Sequence, residues 1–201
     1  MKILNLYSGI GGNRHLWGEK HEITAIEINP NISAIYKSKF PNDTVINTDA
    51  HYYLLENYMD FDFIWSSPPC PSHSRLCYSQ KEKHYIDFSL YQQIVLLRSW
   101  FKGKWVIENV IPYYEYLINP SVVIGRHPYW TNFEVPSLQV KNIDVSRSTP
   151  EQLSEYLGIP KPRYKAALLL RNCVEPKIGL HFLKHSIEKQ TDLFNKAYEN
   201  E

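Results

Sequence analysis

Two residues in this chain have the types and spacing for covalent chemistry. Cys70 follows Pro68-Pro69 at the end of Asp62-Phe63-Ile64-Trp65-Ser66-Ser67, and Glu108 opens Glu108-Asn109-Val110 at the end of Lys104-Trp105-Val106-Ile107. A thiolate adds to an electron-poor carbon, and a carboxylic acid nearby donates a proton or hydrogen bond to the ring nitrogen that takes up charge. The two prolines stiffen the backbone ahead of the sulfur, as a nucleophile requires when it must stay within reach of one carbon atom.

These residues need elements to position them. The aromatic and β-branched run before Ser66 predicts a buried strand, and the prolines cannot continue its hydrogen-bond ladder. The chain therefore leaves the sheet at Pro68, with Cys70 on the following loop. Residues 104–110 predict the next strand, which places Glu108 on the same rim. In an open α/β sheet the loops at the carboxyl ends of strands are where ligands and reacting groups gather.

Upstream, Lys2–Leu6 predicts a first strand, followed by the glycine turn Tyr7-Ser8-Gly9-Ile10-Gly11-Gly12 and a helical stretch opened by His15-Leu16-Trp17. Glycines after a strand let a ligand lie against the main chain. Residues 21–28 predict a second strand with Glu27 at its tip, placed to accept hydrogen bonds from both hydroxyls of a ribose. Ile28 beside it is placed to cover one face of an adenine. Ile32, Ile35 and Tyr36 give residues 31–40 the spacing of one helical face. Residues 44–47 predict a third strand ending at Thr48-Asp49-Ala50, with Asp49 directed at an adenine amino group. A glycine turn followed by acids at successive strand tips points to a nucleoside cofactor.

The chain has 201 residues, 43% of them hydrophobic, enough for a sizeable core in one domain. Its formal net charge of +1 provides no global basic field, so nucleic-acid binding falls to local patches. Candidate phosphate contacts are Lys161, Arg163, Lys165 and Arg171. Residues 71–86 form a long polar stretch without periodicity, expected to be a lid carrying Arg75, Lys81 and Lys83. Residues 87–101 predict a helix with Tyr91, Ile94, Val95 and Leu97 on its apolar face, and residues 177–198 a closing helix. Three cysteines (Cys70, Cys77, Cys173) make an odd set without paired spacing. With no leader or membrane-length apolar run expected, they point to a reducing, cytoplasmic setting. His73, His84 and Cys77 lack the spacing of a zinc site, so no metal is expected.

The order of glycine turn, acidic strand tip, Asp, Pro-Pro-Cys and Glu-Asn-Val resembles the DNA cytosine methyltransferases that act on carbon 5. The resemblance implies a class I S-adenosylmethionine-dependent methyltransferase fold, Rossmann-like: a mostly parallel sheet with helices on both faces. It implies S-adenosylmethionine as cofactor, held by Tyr7, Ser8, Gly9, Gly11, Gly12, Glu27, Ile28, Asp49, Ala50, Pro68 and Asn172. Cys70 is matched to the family's nucleophile, Glu108 to its acid and Arg126 to its catalytic arginine, although the usual Gln-x-Arg-x-Arg is absent. Pro71 stands where glutamine is common. Residues 147–160 resemble the helix-bearing motif that follows the family's recognition region, and Asn172-Cys173-Val174-Glu175-Pro176 its last motif. A single catalytic domain over residues 1–201 follows, with residues 165–198 returning to the donor site.

Between the Arg126 strand and the Arg147 motif only residues 136–146 remain, a vestige of the recognition region. Groove readout needs a helix or ribbon with several side chains reaching base edges. So short a segment leaves three outcomes: relaxed sequence preference, specificity from a separate subunit, or a non-duplex substrate. The resemblance implies DNA as the substrate, in a bacterial or phage-like restriction–modification context, with the target base flipped out of its stack. The tRNA-modifying branch of the family and a non-catalytic donor-binding subunit are the alternatives. Amino-group methylation at Ser67-Pro68-Pro69 would call for an aromatic residue where Cys70 stands.

Overall fold

The apolar runs become neighbouring strands of one sheet: β1 (Lys2–Leu6), β2 (Glu22–Ile26), β3 (Thr44–Ile46), β4 (Phe63–Ser66) and β5 (Lys104–Glu108). The structure, a computed structural model, describes residues 1–75, 85–141 and 143–187. These five strands are mutually parallel, in the order β3-β2-β1-β4-β5. Leu6 lies opposite both Ile26 and Ser66, and Ser66 opposite Ile107, so the carboxyl ends line one rim. A hairpin, β6 (Val122–Ile124) and β7 (His127–Thr131), completes the sheet, with β7 antiparallel to β5. Its two-residue turn has Gly125 at φ +60°, a conformation that suits glycine in tight hairpins.

Helices cover both faces, as the resemblance implies. On one face lie α1 (Pro30–Lys39) and α6 (Pro176–Ile187); on the other lie α2 (Ala50–Asn57) and α3 (Ser89–Trp100). Leu54 of α2 and Leu90, Ile94 and Leu97 of α3 pack on Leu4, Leu6, Ile64 and Ile107. Val95, expected on the apolar face of α3, is exposed, and Leu90 is buried there instead. Ile178, Phe182 and Leu183 of α6 pack on Ile3, Trp17, Phe63, Trp65, Val106 and Tyr129. Phe182 is fully buried, a contribution of about 2–3 kcal/mol.

The helical stretch expected after the glycine turn is a single 3-10 turn at Asn13–Leu16, and β2 begins soon afterwards. The sheet face beside it is covered by α6, which approaches so closely that a Cβ on Gly179 would lie 2.2 Å from the Asn13 carbonyl oxygen. A short connection suffices because the apolar surface is supplied from far along the chain. Two further helices, α4 (Pro150–Leu157) and α5 (Ala166–Arg171), pack Leu153, Leu157, Leu169 and Leu170 around Ile10 of the glycine turn. A capping box between Thr149 and Gln152 starts α4, and Gly158 at φ +65° ends it. Cys77, Lys81, Lys83, His84 and residues 188–198 of the expected closing helix lie outside the described residues.

Candidate active site

The glycine turn is fixed from below. Ser8 N–H donates to the Ile26 carbonyl at 2.9 Å, Gly11 N–H to Ser8 O at 2.9 Å, and the buried Asn13 amide to Asn5 Oδ1 at 2.7 Å. Gly9 at φ +53° and Gly11 at φ +76° adopt backbone angles that favour glycine. A Cβ at Gly9 would meet nothing within 4 Å, so the turn is open on that side. Gly12 is the opposite case: a Cβ there would lie 2.2 Å from Cys173 Sγ and 2.4 Å from Val174 O. The segment Asn172-Cys173-Val174 is thereby brought back onto the turn, with Asn172 exposed at the end of α5.

Glu27 is held by main chain on both oxygens. Gly9 N–H donates to Oε2 at 3.1 Å and Asn29 N–H to Oε1 at 2.9 Å. A carboxylate has about four acceptor sites, so capacity for two hydroxyls remains. Ile28 beside it is 66% exposed, an apolar side chain left at the rim. Asp49 caps α2, its Oδ1 accepting from His51 N–H at 2.8 Å and Tyr52 N–H at 3.0 Å, with Ala50 buried behind it. Its charge reaches Tyr7, whose hydroxyl is pushed up to about 12, chiefly by burial. Tyr7 sits at φ +53°, a sparsely populated conformation for a residue with a side chain. The fully buried Gln93 donates to its hydroxyl at 3.0 Å, while Gln93 Oε1 accepts from Ser66 Oγ at 2.6 Å.

Ser8 Oγ is buried without a hydrogen-bond partner among the described residues. An orphaned hydroxyl, an open glycine turn, an anchored carboxylate and a second acid near Tyr7 fit a nucleoside with polar substituents. These residues fit S-adenosylmethionine.

Beyond β4, the Pro68 carbonyl accepts from the buried Asn109 side-chain amide at 3.1 Å, which ties the Pro-Pro-Cys loop to the Glu-Asn-Val strand end. The Cys70 carbonyl accepts from both His73 and Ser74 N–H at 3.0 Å, closing a tight turn after the thiol. Cys70 is half-buried. Burial first and the Glu108 charge second push its thiol above the ordinary range, so sulfur and carboxylate are electrostatic neighbours. The contrast is Cys173, whose thiol burial pushes up to about 12 against the glycine turn.

Glu108 lies opposite Tyr129 in β7, so residues two positions apart along β7 share its face. That face brings His127 Nε2 to 3.6 Å from Glu108 Oε1. Arg126, in the hairpin turn, is exposed and lines a cavity with His127, Tyr156 and Glu175. The geometry thus pairs His127, and not Arg126, directly with the acid. The sequence held no signal for His127, since the arginine motif that would fix the register is missing. Asn109 was visible only as the middle of a triplet, because its role as a tie between loops depends on a residue 41 positions away. Of the candidate phosphate contacts, Lys161 pairs with Glu151 at 2.7 Å and Arg171 donates to the Ser146 carbonyl at 3.3 Å.

Comparison with known proteins gives the family and the fold. The family model for C-5 cytosine-specific DNA methylases matches residues 1–111. The tRNA (cytosine(38)-C(5))-methyltransferase of Mus musculus is 33% identical over 82 residues, 38% of this chain and 20% of that protein. The human protein of the same name is 32% identical over 82 residues, 38% of this chain and 21% of that protein. The matched stretch thus spans about a fifth of these curated relatives. A DNMT2 mutant structure from Spodoptera frugiperda superposes with TM-score 0.61 at 17% identity, covering 93% of this chain and 99% of that one. The Entamoeba histolytica methyltransferase EhMeth gives 0.59 at 13%, covering 92% and 97%. At these identities the superpositions establish the fold. With its first 111 residues matched from the glycine turn through Pro-Pro-Cys to Glu-Asn-Val, the chain belongs to the C-5 cytosine-specific DNA methylase family and uses S-adenosylmethionine.

Proposed function

We propose that this protein transfers a methyl group to carbon 5 of cytosine in DNA through a covalent adduct on Cys70. The observation that carries the reading is the juxtaposition of Cys70 and Glu108 on adjacent parallel strand ends, close enough for the Glu108 charge to act on the thiol. In the free protein that charge suppresses the thiolate. The active arrangement has the same number of protons, distributed differently: thiolate on Cys70 and carboxylic acid on Glu108. Glu108 then donates to ring nitrogen 3 while the sulfur lone pair forms a bond to carbon 6. The displaced carbon 5–carbon 6 electron pair makes carbon 5 nucleophilic. S-adenosylmethionine supplies the methyl group that carbon 5 takes up. Loss of the carbon 5 proton to water and elimination of the sulfur restore the ring and the enzyme.

In this reading Tyr7, Ser8, Gly9, Gly11, Gly12, Glu27, Ile28, Asp49, Ala50, Pro68 and Asn172 hold the donor. Residues 1–201 act as a single catalytic domain, with residues 165–198 returning to the donor turn. Residues 136–146 stand in place of a recognition region. Leu138 and Val140 pack against the sheet, and Ile143 and Val145 against α4 and α5, so the described residues of the segment serve as a packed strap more than a groove reader. Target choice then falls to a partner subunit or to a short sequence context. A second reading, transfer to tRNA, is favoured by the names of the curated relatives and by the ease of extruding an unpaired base. Incubation with labelled S-adenosylmethionine and duplex DNA, single-stranded DNA or tRNA separates the two. A 5-fluorocytosine substrate traps the Cys70 adduct, and absence of any trapped adduct on all three nucleic acids would overturn covalent transfer.

A further inference from the structure

We propose that His127 is a positioning residue for this reaction: it shares a proton with Glu108 and connects that carboxyl to water. The inference rests on the reading of Glu108 as the acid. His127 Nε2 stands 3.6 Å from Glu108 Oε1, a gap that a small side-chain adjustment or one bridging water closes. The pairing follows from strand register, since Glu108 faces Tyr129 and His127 lies two residues earlier on the same side of β7. The Glu108 side chain is 11% exposed and that of His127 is 29% exposed. The acid is nearly shut off from water, and the imidazole is the member of the pair that can exchange protons with it. His127 also lines a cavity of about 260 Å³ between the β6–β7 hairpin and α4–α6. Neither Cys70 nor Glu108 lines that cavity, so the imidazole stands between the acid and a space on the far side from the thiol loop.

The proton count closes. The proton that leaves Cys70 for Glu108 is the one handed to ring nitrogen 3, and a second proton, carried by His127 Nε2, is shared with the carboxylate this leaves. When the carbon–sulfur bond breaks, nitrogen 3 returns the first proton through Glu108 to Cys70 and the second stays with His127, so none is consumed. The pair sits within a defined set of charged and titratable neighbours. Cys70 faces it from the loop after β4, and Arg126 and Tyr129 from the hairpin. Lys141, Tyr156, Arg171 and Glu175 face it across the cavity. Tyr129 is fully buried with its hydroxyl pushed well up by burial and by Glu108 and Glu175, and Glu175 accepts from Tyr156 at 2.6 Å. Neither tyrosine therefore competes for the proton near neutral pH.

The test uses the full chain carrying 15N-labelled histidine, with the His127→Gln variant identifying the resonance. At fixed neutral pH the Nε2 signal of His127 is expected to move when Glu108→Gln is introduced; an unmoved signal overturns the pairing whatever the turnover. In methyl transfer, His127→Gln is expected to lower kcat about tenfold or more, with KM for donor and nucleic acid within about twofold, and to remove one ionisation from the pH–rate profile. Added imidazole is expected to restore part of the rate of His127→Ala. In the Glu108→Gln background, His127→Gln is expected to cost nothing further. Independent losses in the double variant, or an unchanged pH profile in the single one, overturn the proposal. A moved Nε2 signal in a wild-type protein that traps no 5-fluorocytosine adduct supports the pairing and strikes the methyl-transfer reading alone.

Discussion

Glu27 and Asp49 each accept two main-chain N–H groups, while a few strands along the same rim the Glu108 charge acts on the Cys70 thiol and Glu108 stands beside the His127 imidazole. The first pair sits in a frame assembled from neighbouring strand ends and a helix cap. The second is brought together by a tie between two loops and by a hairpin that joins the sheet antiparallel. A donor can be held by preformed geometry, because it must simply lie still. An acid and a nucleophile must change protonation during the reaction, and their surroundings leave room for that.

The sharpest way to break the comparison is at the nucleophile. Cys70→Ser should reduce methyl transfer by about 10³-fold or more while leaving the Kd for S-adenosylmethionine within twofold, as read by turnover and calorimetry. Equal losses in both would mean that the two regions are not separable. Next in size is Gly12→Ala, which drives a Cβ into Cys173 Sγ and Val174 O. Since one of those atoms is backbone, the segment must move, and a loss of about 2–3 kcal/mol in denaturant stability is expected. An unchanged midpoint would mean that residues 172–174 do not bear on the turn.

Glu27→Gln tests the preformed side alone. It should weaken donor binding by about tenfold, the equivalent of about 1.4 kcal/mol for one charge-assisted hydrogen bond, with kcat at saturating donor nearly unchanged. The smallest expected effect is a shift in pH. Burial and the Glu108 charge both disfavour the Cys70 thiolate, so its alkylation by iodoacetamide should climb only above the pH at which an ordinary thiol reacts. In Glu108→Gln the charge is gone, and the same curve should move to lower pH. A curve displaced upward would contradict the proximity of the two groups.

The strands of the donor side were legible because each is a local apolar run closed by a turn, and parallel order follows from their alternation with helices. Cys70 and Glu108 were legible for the same reason: each ends its own strand. The 3-10 turn at Asn13–Leu16 was not, because a helical pattern that short is decided by what covers the sheet, and α6 lies more than 150 positions away. Nor was α2 predicted, although Asp49 was singled out. A residue at a strand tip and a helix cap share one composition, and the helix it starts shows no strong apolar face. His127 depends on the register of an antiparallel pair, which no local pattern encodes.

The contact between α6 and the first strand has a consequence for how the chain is made. β1 lies inside the sheet and is made well before α6, yet the side chains that close over Ile3, Phe63 and Trp65 come from residues 178–183. Until those residues are made, that part of the face lacks its cover beside α1, and its closure brings together distant parts of the chain. Topologies with such distant partners acquire their structure slowly and late. A ribosome paused before Pro176 would thus display part of an apolar sheet to the cell, and the 3-10 turn after the glycines would lack its backing until α6 arrived.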